Sequence, residues 1–97
     1  MNSIEINITN INNQTHIYID IRNMQMKTNN ELKEITQEQV EELLRIIRTW
    51  PNDNNSKILD SEKFIIKIET DNITKTIVEN SLSQKNYLEL ESWLRRI

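Results

Sequence analysis

The sequence contains no cysteine and no glycine, and its 97 residues include a single proline. Without cysteine the chain has no disulfides, thiolate metal ligands or cysteine nucleophiles. Without glycine it has no Walker phosphate loop, dinucleotide-binding fingerprint or glycine-flanked serine nucleophile. One histidine, His16, is too few for a structural zinc site. We therefore expect no cofactor and no metal site.

Long apolar runs and basic clusters are also scarce. No stretch approaches the roughly 20 apolar residues that cross a bilayer, and the N-terminus lacks the basic and apolar regions of a secretory signal. The formal charge is −3 and aromatic residues make up 5% of the chain, which argues against a nucleic-acid-binding surface. We expect a cytoplasmic protein whose partner is another protein rather than nucleic acid or membrane.

Two segments near the N-terminus alternate isoleucine with polar residues, which is typical of half-buried strands. They cover residues 4–8 and 17–21. A two-residue turn at Asn12-Asn13 predicts a β-hairpin in which Ile8 faces Ile17, Ile6 faces Ile19 and Ile4 faces Ile21. The same register places Glu5 opposite Asp20. Residues 23–34 are predicted to be a polar connection, and an extension of the second strand through Met24 and Met26 is left open.

A first helix is predicted after this connection. Thr36 and Gln39 form a capping box, and Val40, Leu43, Leu44, Ile47 and Trp50 recur at helical spacing. Pro51 then ends the helix, and residues 52–57 read as a polar loop.

The second half repeats the order of the first. Residues 63–69 and 73–79 predict a hairpin around Asp71-Asn72, with Ile66 opposite Ile77 and Ile65 opposite Val78. A final helix is predicted to open at Ser83 or Asn86. The sequence therefore predicts one α+β domain over residues 1–97 with the order β-β-α-β-β-α, built from pseudo-repeat halves of about 1–50 and 57–97. Two helices would cover one face of a four-stranded antiparallel sheet.

The uncovered face of that sheet is the predicted partner-binding surface. It carries polar residues of the first hairpin: Glu5, Asn7, His16, Tyr18, Asp20 and Arg22. Tyr and Arg are common anchors of protein interfaces, and the like charges of Glu5 and Asp20 need compensation by Arg22, a cation or a partner. A secondary acidic surface is predicted at the start of the first helix: Glu34, Glu38, Glu41 and Glu42.

Function is inferred mainly by elimination, since the chain offers a small surface and little catalytic equipment. The first hypothesis is a non-enzymatic module that blocks a protein partner, as immunity proteins and phage inhibitors of bacterial defence or toxin proteins do. A second is a small hydrolase or nuclease, metal-dependent or His-dependent, that uses His16 with Glu5 or Asp20. A third is a structural homodimer formed through an open sheet edge or face.

Overall fold

The computed structural model of this chain describes residues 2–10, 13–29, 31–50, 63–80 and 85–97. Three features predicted from the sequence lie outside these residues: the helix stop at Pro51, the polar loop at 52–57 and the helix start at Ser83.

Within the described residues, six antiparallel strands form one sheet. The strands are β1 (Ser3–Thr9), β2 (Gln14–Asp20), β3 (Gln25–Lys27), β4 (Leu32–Glu34), β5 (Lys63–Thr70) and β6 (Thr74–Asn80). Their order across the sheet is β4-β3-β2-β1-β5-β6, so β1 joins the two halves by pairing with both β2 and β5. The prediction of a four-stranded sheet is therefore wrong, although the chain does combine an antiparallel sheet with helices.

The two additional strands, β3 and β4, lie in the segment predicted to be a polar connection. Each has three residues, which is too short to show an alternating pattern. The chain turns out of β2 through Met24, whose φ is 50°, and β3 then pairs with β2, with Met26 opposite Ile19. Met26 on β3 is buried in the core, as is Ile35 directly after β4, so two apolar side chains anchor this largely polar ribbon on the sheet.

The first hairpin forms, but its register differs by two residues from the predicted one. Ile6 pairs with Ile17 and Ile4 with Ile19, because the hairpin closes through Asn10 and Asn13 rather than around Asn12-Asn13. The Asn10 N–H donates to the Asn13 carbonyl (2.9 Å) and the Asn10 side chain accepts from the Asn13 N–H (2.6 Å). A shift of two residues preserves the face of every side chain, so the predicted isoleucines are still buried.

The second hairpin has the predicted register. Ile66 lies opposite Ile77 and Ile65 opposite Val78. The Thr70 hydroxyl accepts from the N–H groups of Asn72 and Ile73, which satisfies donors of a turn that contains no glycine.

Two helices in the described residues, α1 (Gln37–Thr49) and α2 (Lys85–Arg95), lie on the same side of the sheet. The predicted capping box of Thr36 and Gln39 is confirmed. The Trp93 indole N–H donates to the Gln39 carbonyl (2.9 Å), which ties α2 to the first turn of α1. One hydrophobic core unites the inward residues of the strands with the helical stripes: Ile4, Ile6, Ile8, Ile17, Ile19, Met26, Ile35, Val40, Leu43, Ile47, Trp50, Ile66, Ile68, Ile77, Leu90 and Trp93.

Candidate functional site

The sheet surface opposite the helices, which we call the open face, is built by the alternate residues of each strand. Four rows of side chains cross it because directly paired residues point to the same side. The open face comprises Ser3, Glu5, Asn7, Thr9, Gln14, His16, Tyr18, Asp20, Gln25, Lys27, Leu32, Glu34, Ile65, Lys67, Glu69, Thr74, Thr76 and Val78.

Tyr18 stands near the middle of the open face and keeps 36% of its surface exposed. The register places it between Glu5 on β1 and Lys27 on β3. An aromatic ring that ends in a hydroxyl offers apolar contact area and a hydrogen bond at little entropic cost, which is why tyrosine is enriched at interfaces. Tyr18 is thus the largest anchor that this part of the sheet offers.

The side chains of His16 and Glu5 are in contact beside Tyr18. The His16 Nε2 lies 3.4 Å from the Glu5 Oε1, and the two side chains are 47% and 43% exposed. The Asn7 side-chain amide also donates to the Glu5 Oε1, at 3.3 Å. The Glu5 carboxylate therefore has two polar neighbours on a solvated surface.

Glu5 has a like charge directly opposite it, but not the predicted one. Its partners are Tyr18 on β2 and Glu69 on β5, whereas Asp20 pairs with Ser3. The predicted Glu5–Asp20 pair is wrong because the register of the first hairpin differs from the predicted register by two residues. The opposed carboxylates are Glu5 on β1 and Glu69 on β5, at the place where the two halves of the sheet pair.

The Asp20 carboxylate accepts hydrogen bonds within the turn that follows β2. It accepts from the Asn23 side-chain amide (2.8 Å) and from the N–H groups of Arg22 and Asn23. The Asn23 side-chain bond, followed by the main-chain bonds of Asn23 and Arg22 and by the positive charge of Arg22, lowers the pKa of Asp20 below its ordinary value. The Arg22 guanidinium reaches Asn2 (3.3 Å), so Arg22 lies at the end of the sheet rather than beside Glu5.

A depression of about 640 Å³ adjoins His16 and Tyr18, and Lys27, Thr28 and Asn29 line its other side. The Asn29 side chain accepts from the His16 main-chain N–H (2.8 Å) and donates to the Gln14 carbonyl (3.1 Å). The Asn29 side-chain amide thus extends the hydrogen bonding of β2 beyond the end of β3. The same bonds hold Asn29 in place at the wall of the depression.

The other half of the open face ends in an apolar pair. Ile65 and Val78 lie opposite each other on β5 and β6, and both side chains are half-buried. Lys67 follows Ile65 on the same face and is exposed. The open face therefore places an aromatic residue, an apolar pair and charges of both signs on one surface.

The predicted secondary acidic surface is divided by the fold. Glu34 lies on β4, and Glu38 and Glu41 are exposed on α1. Glu42 instead forms an ion pair with Arg96, at the rim of a groove of about 560 Å³ between α1 and α2. The groove also contains Leu88, which is 56% exposed.

Sequence reasoning missed three residues near Tyr18: Lys27 and Glu69 on the open face, and Asn29 in the adjoining depression. Lys27 and Asn29 belong to the segment predicted as a polar connection. Glu69 falls in a predicted strand, but no feature of the local sequence indicates that β5 pairs with β1. The pairing of Asn7 with Lys67 has the same non-local origin.

Among the described residues, no three His, Asp or Glu side chains converge in a way that could hold a metal ion. Neither of the helices described has the length and apolar composition needed to cross a bilayer.

Comparisons with known proteins add no relative: no family model, no curated protein and no solved structure matches this chain. The interpretation of the open face therefore rests on its own geometry and chemistry.

Proposed function

We propose that this chain is a protein-binding module that occupies a surface of its partner with the open face. The observation that carries the proposal is the combination, on a face that neither helix covers, of exposed Tyr18 with the half-buried pair of Ile65 and Val78. Tyrosine is enriched among the residues that supply most of the binding free energy where proteins meet, and the apolar pair gains free energy when a partner removes its exposed surface from water.

The rigidity of the scaffold supports this proposal. Tyr18 lies on β2, which is paired on both sides at that residue, and Lys67 lies on β5 between β1 and β6. A preorganised surface loses little conformational entropy when it binds. The open face would thus bind as a largely fixed template.

The charges favour a partner of mixed or basic character. Glu5, Glu69 and Lys67 share the open face, and the chain as a whole carries a charge of −3. A small acidic protein that covers a functional surface of another protein acts as immunity proteins and phage inhibitors of bacterial defence or toxin proteins do. A cytoplasmic site of action belongs to the same proposal, because a chain without cysteine suits a reducing compartment.

The test compares matched double variants by affinity enrichment. The tagged chain is expressed in its native cell as wild type, as Tyr18→Ala with Lys67→Ala, and as Leu88→Ala with Lys85→Ala. Each variant loses one large side chain and one lysine, the first pair from the open face and the second from the α1–α2 groove.

We expect one protein to be enriched by the wild type and by the groove variant, and to be reduced about tenfold or more with the open-face variant. Thermal unfolding of all three should be similar, because the substituted side chains lie outside the core. Equal enrichment by the open-face variant would remove the open face as the binding surface.

A second candidate function rests on the 3.4 Å contact between His16 and Glu5. A carboxylate that orients an imidazole is the arrangement of a general base, and the adjoining depression could admit a substrate group. Asp20 is set aside from this arrangement, because its carboxylate is bonded to Asn23. The measurement is turnover of phosphoesters and nucleic acids by the wild type, Glu5→Gln and His16→Ala. Activity that is lost in His16→Ala supports the hydrolase, whereas absent or unchanged activity eliminates it.

A further inference from the structure

The depression beside Tyr18 has a lining that favours negative charge. Its volume is about 640 Å³, and the described residues that line it include a lysine, two hydroxyl groups and no carboxylate: His16, Tyr18, Lys27, Thr28 and Asn29. A concave surface whose only full charge is positive attracts an anionic group. The depression is therefore the part of the open face best suited to accept a carboxylate.

Lys27 supplies the positive charge of this lining, and that charge has no counter-ion among the described residues. The side chain is exposed at the end of β3, and none of the carboxylates in those residues forms an ion pair with it. On the neighbouring strand β4, by contrast, the Lys33 Nζ lies 3.4 Å from the Glu31 Oε2. Lys27 therefore keeps its full charge and its N–H donors for a group from outside the chain.

Two hydroxyl groups beside Lys27 are available as well. Tyr18 lies directly opposite Lys27 on β2, and Thr28 follows Lys27 in the chain. Neither hydroxyl forms a hydrogen bond within the part of the chain that the structure describes, and each can donate one. A carboxylate accepts several hydrogen bonds, and those to an ionised acceptor are stronger than those between neutral groups.

The charge of the open face changes sign at Tyr18. Lys27 lies opposite Tyr18 on one side, and Glu5 lies opposite it on the other. Glu5 does not line the depression, and it faces Glu69 on β5. A partner that covers Tyr18 thus meets positive charge toward β3 and negative charge toward β5, and this difference sets its orientation.

We infer that the protein partner places an aspartate or glutamate side chain in the depression, where its carboxylate accepts from the Lys27 Nζ and from the hydroxyls of Tyr18 and Thr28. Covering an unpaired ammonium group is costly, and an opposite charge from the partner offsets this cost. The inference rests on the proposed function, because the depression is continuous with the open face. A side chain of the partner therefore reaches the depression from within the same interface.

The experiment uses the protein that the wild type enriches from its native cell, purified as the binding probe. Lys27→Met and Lys67→Met are matched variants, since each removes an exposed lysine of the open face that has no ion-pair partner among the described residues. Only Lys27 lines the depression. Affinity for the probe is measured at low and high salt, and thermal unfolding of both variants should match the wild type.

At low salt, Lys27→Met should weaken binding about tenfold and Lys67→Met less than about threefold. The wild type should lose more affinity than Lys27→Met when salt is raised, because salt screens the charge pair. Equal affinities of the two lysine variants overturn the inference and leave the open face as the binding surface. Enrichment that Tyr18→Ala with Lys67→Ala does not reduce overturns the proposed function, and this inference with it.

Charge reversal then identifies the acidic residue. p-Benzoylphenylalanine replaces Leu32, which lies opposite Lys27 on β4 and is 64% exposed, so it cross-links the segment of the probe next to the depression. Each aspartate or glutamate of that segment is changed to lysine in turn. Lys27→Glu should abolish binding, and one of these changes in the probe should restore it for Lys27→Glu but not for Lys67→Glu. A segment without an acidic residue, or no restoration by any change, overturns the inference.

Discussion

Lys75 and Glu79 lie four residues apart on the helix-facing side of β6, and each binds the end of a different helix. The Lys75 Nζ donates to the carbonyls of Ile47 and Trp50, both at 2.8 Å, at the C-terminus of α1. The Glu79 carboxylate accepts from the Asn86 N–H, at 2.9 Å, at the N-terminus of α2. Each charge has the sign that its helix terminus favours, so one edge strand fixes the ends of both helices.

Lys75→Met should lower the free energy of unfolding by about 1–3 kcal/mol. The methionine keeps the apolar stem but leaves the last carbonyls of α1 without their charged donor. Urea denaturation measures the change. Lys67→Met, on the exposed part of the open face, is the control and should change stability by about 0.5 kcal/mol or less. Similar losses in both variants would show that the contact with α1 contributes nothing specific.

Glu79→Gln should destabilise the fold by about 1–2 kcal/mol. Glu79 is only 7% exposed, and its two oxygens accept from the N–H groups of Asn86 and Tyr87. Glutamine has one oxygen and brings an amide donor toward these donors, so a buried N–H loses its acceptor. Denaturant unfolding measures the stability, and hydrogen exchange at Tyr87 should accelerate more than exchange in α1. Uniform exchange throughout the domain would contradict a local role in holding α2.

Glu69→Gln should stabilise the domain slightly. Glu69 lies directly opposite Glu5, and removal of one of two facing carboxylates relieves a repulsion of about 0.2–1 kcal/mol. The gain should be largest at low ionic strength, since the Debye length falls to about 3 Å at 1 M salt. Thermal unfolding at low and high salt tests this. A loss of stability that salt does not alter would show that the two carboxylates do not repel each other in the folded chain.

Asp20 should make stability depend on pH in the acid range. Hydrogen bonds from Asn23 lower its pKa below the ordinary value of 3.8, so the unfolded chain takes up this proton first as pH falls. The resulting stabilisation is complete above about pH 5 and is lost as pH falls through the folded-state pKa.

The measurement is the difference in stability between the wild type and Asp20→Ala as a function of pH. We expect a constant difference above about pH 5 and a smaller one at lower pH. A difference that stays the same down to the acid limit would mean that the ionised carboxylate does not stabilise the turn.

Local signals in the sequence predicted some elements well. The capping box of Thr36 and Gln39 and the apolar stripe after it defined the start and buried side of α1. The turn composition at Asp71-Asn72 set the register of the second hairpin. The first hairpin contains several asparagines, each suited to a turn. Its predicted register is wrong because local propensity does not distinguish the turn closed by Asn10 and Asn13 from the turn predicted at Asn12-Asn13.

Features that depend on distant contacts were not predictable from local pattern. In the sequence, Lys75 interrupts the apolar alternation of its strand. In the fold, its ammonium group donates to a carbonyl at the C-terminus of α1. The strands β3 and β4 depend on the edge of β2 and on two buried side chains, Met26 and Ile35. Glu69 was not predicted as a neighbour of Glu5 for the same reason, because pairing of β1 with β5 has no signature in either segment.

The most direct test of the central claim, that the open face is where a partner binds, is photo-crosslinking in the native cell. p-Benzoylphenylalanine replaces Tyr18 in one protein and Leu88 in another, both exposed residues on opposite sides of the sheet. The open face predicts a discrete heavier adduct from position 18 and none from position 88. An adduct from position 88 alone, or no adduct from position 18, would contradict it.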